Sequence, residues 1–245
     1  TITGNTPIEF EITETTVTTA IIIPETIVMS ENERWCSEID GTFNTLTCTL
    51  TGDYIINSGE TLLIPENITL LIINEATLTN DGKIINYGTL ISQATINNEY
   101  ILTNYGTLTN EYILTNDGTI DNNGTLTNLL GATIDNNGTI DNNNGGTIDN
   151  NGTISLNNNG TLNNNSQATI NNEYVLMNYG TLTNDGTLTN EYILTNNGGT
   201  IDNNNNGTII NNGTIDNNNG GTIDNNGTIS LNNNGTLNNN SQATI

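Results

Sequence analysis

From Leu78 to Ile245 an isoleucine or leucine returns every six to eight residues, 26 times in succession, with mostly polar residues between. Each return sits in a frame reading Gly-Thr-[Ile/Leu]-x-Asn; Ala or Tyr sometimes replaces the Gly, and Asn fills the last place in 22 of 25 cases. A six-residue period fits neither the 3.6 of a helix nor an unbroken alternation of two. It fits short strands with corners between them. In Thr-Ile-x, strand geometry turns Ile to one side and both its neighbours to the other. Glycine supplies the positive φ or the close approach that a corner needs. Asn tolerates the left-handed region and bonds its own backbone. Stacking such units sets like over like, with Ile and Leu in a core and Asn in a hydrogen-bonded ladder. Fixed-period repeats stack because each unit buries its neighbour. The predicted fold class is therefore all-β, a parallel β-solenoid. Three units make a triangular coil and two a flattened one; Tyr87 and Tyr105, in the same slot three units apart, favour the triangle.

The chain divides near residue 60. Residues 1–60 lack the repeat and hold Trp35, Phe10, Phe43 and both cysteines. Their β-branched runs, such as residues 16–23, favour strands. A small N-terminal β domain, cap or joint is expected there, with the solenoid over 61–245. A longer period lies on top of the short one. Ser-Gln-Ala-Thr-Ile closes at Ile96, Ile170 and Ile245, giving super-repeats of 74 and 75 residues, each of eleven units. The last closure reads as an uncapped coil, whose unpaired backbone groups invite another strand.

Charge narrows the partners. Arg34 and Lys83 face 26 acidic residues, the formal net charge is -24, and there is no histidine. Such a surface repels nucleic acid and anionic lipid and keeps a long polymer in solution. No run approaches the ~18 apolar residues of a membrane span. Cys36 and Cys48, the only cysteines, close a short loop in an otherwise cysteine-free chain. They predict a disulfide and an oxidising compartment.

Catalysis finds little footing, because the usual general bases and cationic stabilisers are scarce. Asp121, Asp135, Asp141, Asp149, Asp202, Asp216 and Asp224 share one outward slot of the repeat, which reads as a solvated face. No enzyme and no cofactor are expected; calcium stands as the candidate ligand. In a three-sided coil Asp121 lies over Asp141 and Asp202 over Asp224, and oxygen-rich rows suit a hard cation. Gly145-Gly146-Thr147-Ile148-Asp149 matches the calcium-binding β-roll pattern only in its glycines and Asp. The Thr-x-Thr pairs beginning at Thr77, Thr107, Thr125, Thr181 and Thr187 are expected not to align on one face, which counts against an ice-binding surface. The frame itself generates Asn-Gly-Thr sequons; Asn67-Ile68-Thr69 lies outside it and is the candidate glycosylation site. Four units depart from the frame as Glu-Tyr-[Ile/Val]-Leu, at Tyr100-Ile101, Tyr112-Ile113, Tyr174-Val175 and Tyr192-Ile193. An outward Ile or Val beside an aromatic corner makes these a candidate contact surface.

Residues 61–245 resemble the Asn/Thr/Gly-rich β-solenoid arrays of extracellular filament and cell-surface proteins of archaea and bacteria. That resemblance rests on the repeat type and implies a structural role outside the cell. The expected function is a subunit of a homopolymeric extracellular fibre whose copies join head to tail. The alternative is a surface adhesin that binds glycan or calcium through the solenoid faces.

Overall fold

The computed structural model describes residues 31–204, 206–232, 235–240 and 242–245. Helix α1 (Glu31–Glu38) leads into an antiparallel pair, β1 (Thr42–Asn44) and β2 (Thr47–Leu50). Short strands follow one another from β3 (Tyr54–Ile56) to β30 (Thr236–Asn239). From β2 onward every third strand joins the same sheet, so the chain winds as a three-sided parallel solenoid. Sheet A runs from β2 to β29 (Thr228–Leu231), sheet B from β3 to β30, and sheet C from β4 (Thr61–Ile64) to β28 (Thr222–Asn225). Pairing is in register, like over like: Leu108 lies between Leu90 and Leu126. Ten coils deep at about 4.8 Å each, the stack is about 43 Å long.

Burial within one strand explains the frame. In Thr107–Asn110 the pattern alternates half-buried and buried, so Thr107 and Thr109 face out while Leu108 and Asn110 face in. The anchors make one continuous core, from Leu50 and Ile56 through Ile223. Asn110 and its equivalents as far as Asn217 are as buried as the leucines. A buried amide is tolerated only when hydrogen-bonded, and the stack provides the partners. Asn122 Nδ2 donates to Asn142 Oδ1 at 2.8 Å and to the Thr147 carbonyl at 3.0 Å, while Asn122 Oδ1 accepts from Asn104 Nδ2 at 2.8 Å. Three such columns line the inner corners. One runs from Asn86 to Asn225, another from Asn110 to Asn211, and the third from Asn80 to Asn239 with a break at the buried Leu156. Every amide in them points the same way, Nδ2 toward the later coil. Such chains polarise one another. Among the described residues three buried side-chain oxygens lack a partner, those of Asn80, Asn86 and Asn110. Each begins a column, with Ile56, Ile64 or Ser92 over it and no amide to donate.

One detail of the corner chemistry differs from expectation, and one alternative left open is decided. The frame Asn is not left-handed; it ends a strand and builds the ladder. Among the described residues the left-handed Asn residues are Asn67, Asn74, Asn144 and Asn219, in the wider corners. Of the two roles expected of the frame Gly, the structure shows the close approach; among the described residues positive φ occurs at Gly59, Gly131, Gly145, Gly198 and Gly220, outside the frame. A Cβ on Gly106 would sit 2.0 Å from the Gly88 carbonyl oxygen of the coil before. That contact follows from the backbone bonds Gly106 N–H to Asn86 O and Thr107 N–H to Gly88 O, both 3.0 Å.

The described residues of the N-terminal part hold a helix and one β-hairpin, and the strand-favouring run at 16–23 lies outside the described residues. The solenoid begins at Thr47, ahead of residue 61, because Cys48 and Leu50 already alternate inward without the Gly and Asn of the frame. Cys36 and Cys48 are joined as a disulfide, fastening α1 to β2. Gly41 permits this; a Cβ there would lie 2.5 Å from Cys48 Sγ and 2.7 Å from Cys36 Sγ.

Candidate functional site

With the interior occupied by anchors and amides, recognition falls to the outward rows and corners. Sheet A carries ten threonines in one unbroken row, Thr47, Thr69, Thr89, Thr107, Thr125, Thr147, Thr169, Thr187, Thr208 and Thr228. The pairs Thr107/Thr109 and Thr125/Thr127 lie side by side in register on that face, and Thr187/Thr189 lies farther along it. Thr77/Thr79 lies on sheet B and Thr181/Thr183 on sheet C, so the five pairs do not share one face as expected, but three of them do share sheet A, because units three apart share a face. Asp149 and Asn171 interrupt the second row between Thr127 and Thr189.

The aspartates stack as the three-sided coil requires. Asp121 pairs in register with Asp141, and Asp202 with Asp224. Like charges so placed repel, and neighbouring amides answer them: Asn123 and Asn143 each donate to Asp121 Oδ1 at 2.8 Å, and Asn163 donates to Asp141 at 2.7 Å. Among the described residues no group of three or more acidic, His or Cys side chains gathers to hold a metal. Asn67 is exposed, with φ 64°, at a corner between β4 and β5 (Thr69–Ile72).

The four Tyr units are not one patch. Tyr112, Tyr174 and Tyr192 occupy the corner between sheets A and B, and Ile113, Val175 and Ile193 follow on sheet B. Tyr100 stands at the corner between sheets B and C, with Ile101 on sheet C. All four rings are at least 41% exposed, and each apolar neighbour is half-buried. Tyr174 and Tyr192 stack one coil apart, 5.6 Å between centroids, as do Tyr87 and Tyr105 at 5.0 Å. Stacking covers ring faces. It leaves edges and hydroxyls to meet a partner.

Leu129 and Leu130 extend the same A–B corner between Tyr112 and Tyr174, and Leu130 is 77% exposed. They were not among the expected contact residues. Their signal was legible, since Leu-Leu stands where other corners carry Asn, Asp or Glu. The A–B corner is thus an apolar ridge of Tyr112, Leu129, Leu130, Tyr174 and Tyr192, interrupted at Asn151-Gly152.

No described helix is long and apolar enough to cross a membrane. No family model, curated protein or solved structure matches the chain, so the fold and these surfaces carry the functional argument.

Proposed function

We propose that the chain is a non-enzymatic structural subunit of an extracellular fibre or cell-surface stalk, and that its copies join head to tail. The observation that supports this most is the polarity of the coils. Within the columns each amide offers Nδ2 toward the C-terminal side and Oδ1 toward the N-terminal side, and the coils stack with in-register, one-directional backbone donors and acceptors. A contact between two coil edges is then heterologous, joining unlike surfaces, and it propagates as a filament unless its rotation closes a ring. Strand addition at such an edge also suits a charge of -24, since it does not press the acidic side faces together. The Cys36–Cys48 disulfide accords with an oxidising compartment.

The N-terminal residues act in this proposal as the joint. Purified protein imaged by negative stain over a range of concentrations should show filaments, and deletion of residues 1–23 should leave single rods about 43 Å long or slightly more. Full-length protein that stays monomeric with salt and calcium, or a deletion that still elongates, overturns the proposal. The apolar ridge at the A–B corner favours one second reading, an adhesin that contacts its target sideways. Fixed-length rods that bind immobilised glycan would support that reading instead.

A further inference from the structure

Among the described residues an open groove of about 330 Å3 lies between α1 and the first coil, its lining including Trp35, Glu38, Ile39, Tyr54, Glu60 and Leu62. Its apolar base is firm: Ile39 and Leu62 are buried, and Trp35 and Tyr54 pack partly buried against the core. Glu60 is held in place by the Asn57 backbone N–H at 2.9 Å and Asn57 Nδ2 at 3.0 Å, bonds that lower its pKa. The Tyr54 phenol is pushed up by burial first, and then by the negative charges of Glu60, Asp40 and Glu38. Three carboxylates thus bear on a site walled by two aromatic residues. Neither Arg34 nor Lys83, the chain's two basic residues, lines the groove.

Ligand classes can be weighed against this lining. An anion is repelled. A neutral apolar guest would use the rings and leave the carboxylates unanswered. A hard metal ion would want more oxygen ligands and no indole. An alkylammonium uses both features at once, its cation drawn to aromatic faces and to carboxylates. The volume lies at the lower end of small-ligand sites, roughly 300–1,000 Å3. We propose that the cap groove binds an alkylammonium group, with Trp35 and Tyr54 as its aromatic walls and Glu38 and Glu60 as its counter-charges.

Trp35 is the only tryptophan, so its fluorescence in the full chain reports the site directly. Choline should shift that emission saturably. The neutral isostere 3,3-dimethyl-1-butanol should bind about two- to fivefold more weakly, in line with a cation–π contact in an open groove. Sodium chloride at equal ionic strength should give no saturable change. Glu38→Gln, on the exposed side of α1, should weaken choline several-fold with an unchanged circular dichroism spectrum. A parallel titration with Nα-acetyl-lysinamide separates sources: tighter binding than choline assigns a lysine side chain of a partner, and weaker binding assigns a small quaternary ligand. A choline response no stronger than the isostere's, or equal to that of salt, overturns the proposal. So does unchanged affinity in a folded Glu38→Gln protein.

Discussion

Replacing Asn122 tests what the inner columns contribute. Asn122 donates to Asn142 Oδ1 and to the Thr147 carbonyl, and accepts from Asn104 Nδ2, all within 3.0 Å and fully buried. In Asn122→Ala the Asn104 amide keeps its bond to the Thr125 carbonyl, but Asn142 Oδ1 loses its donor. A buried acceptor left unpaired costs about 1–3 kcal/mol, and the vacated side chain leaves a void costing about 1 kcal/mol more. The expected loss is about 3 kcal/mol. Asn122→Leu fills the space, as Leu156 does in the broken column, and should cost about 1 kcal/mol less than Ala. Asn122→Asp should be the worst at pH 7, because a carboxylate has no proton for Asn142 Oδ1 and burial disfavours its charge. Burial raises the folded pKa of that Asp above its unfolded value of about 3.9. The penalty is therefore absent below that value, grows as pH rises through the folded pKa, and is complete above it. Urea unfolding followed by circular dichroism gives the magnitudes, and hydrogen exchange shows whether loss is confined to coils beside Asn104 and Asn142, as nearest-neighbour stacking requires. An Ala variant within 0.5 kcal/mol of wild type, or an Asp variant whose stability ignores pH from about 4 to 7, would refute the account of the columns.

Other predictions follow from the corners and the cap. Gly106→Ala must displace the Gly88 carbonyl and should cost about 1–3 kcal/mol, whereas Gly52→Ala, with nothing within 4 Å, should be close to neutral by the same urea assay. Reducing Cys36–Cys48 should lower stability by about 3 kcal/mol, read as the midpoint shift with and without reductant. A double-mutant cycle on Tyr87 and Tyr105, each changed to Ala, should give a coupling of about 0.5–1.5 kcal/mol, and none would mean the stack is incidental.

The solenoid was legible because a single rule recurs: the anchor's inward turn is set by strand alternation, and every Leu or Ile repeats it. Sidedness was weaker, resting on Tyr87 above Tyr105, which the structure stacks. The roles of Gly and Asn were half-read. The ladder was foreseen. Close approach at Gly106 was one of the two roles expected of the frame Gly, but choosing it over a positive φ, like the strand conformation of Asn122, depends on the distance between coils, which no local propensity reports. The start of the stack at Thr47 was hidden for the same kind of reason, since Cys48 and Leu50 alternate correctly but carry none of the frame's corner residues. Helix α1 has little apolar content to announce it, with Cys36 its one buried residue. The Tyr residues were visible as departures from the frame, but their division between two corners depends on counting units by three. Leu129 and Leu130 needed the corner itself to be recognised as a ridge.

The three-sided parallel winding is tested most directly by one distance. Thr89 and Thr208 both face outward on sheet A, six strands apart within it. Their anchors, Leu90 and Ile209, are eighteen units apart, a number divisible by both two and three, so paired spin labels share a face in either winding. Pulsed dipolar spectroscopy on Thr89→Cys/Thr208→Cys should give a narrow distribution near 29 Å, about six coils at 4.8 Å. A two-sided winding would place the labels about nine coils apart, near 43 Å, and that result or a broad distribution would contradict the fold.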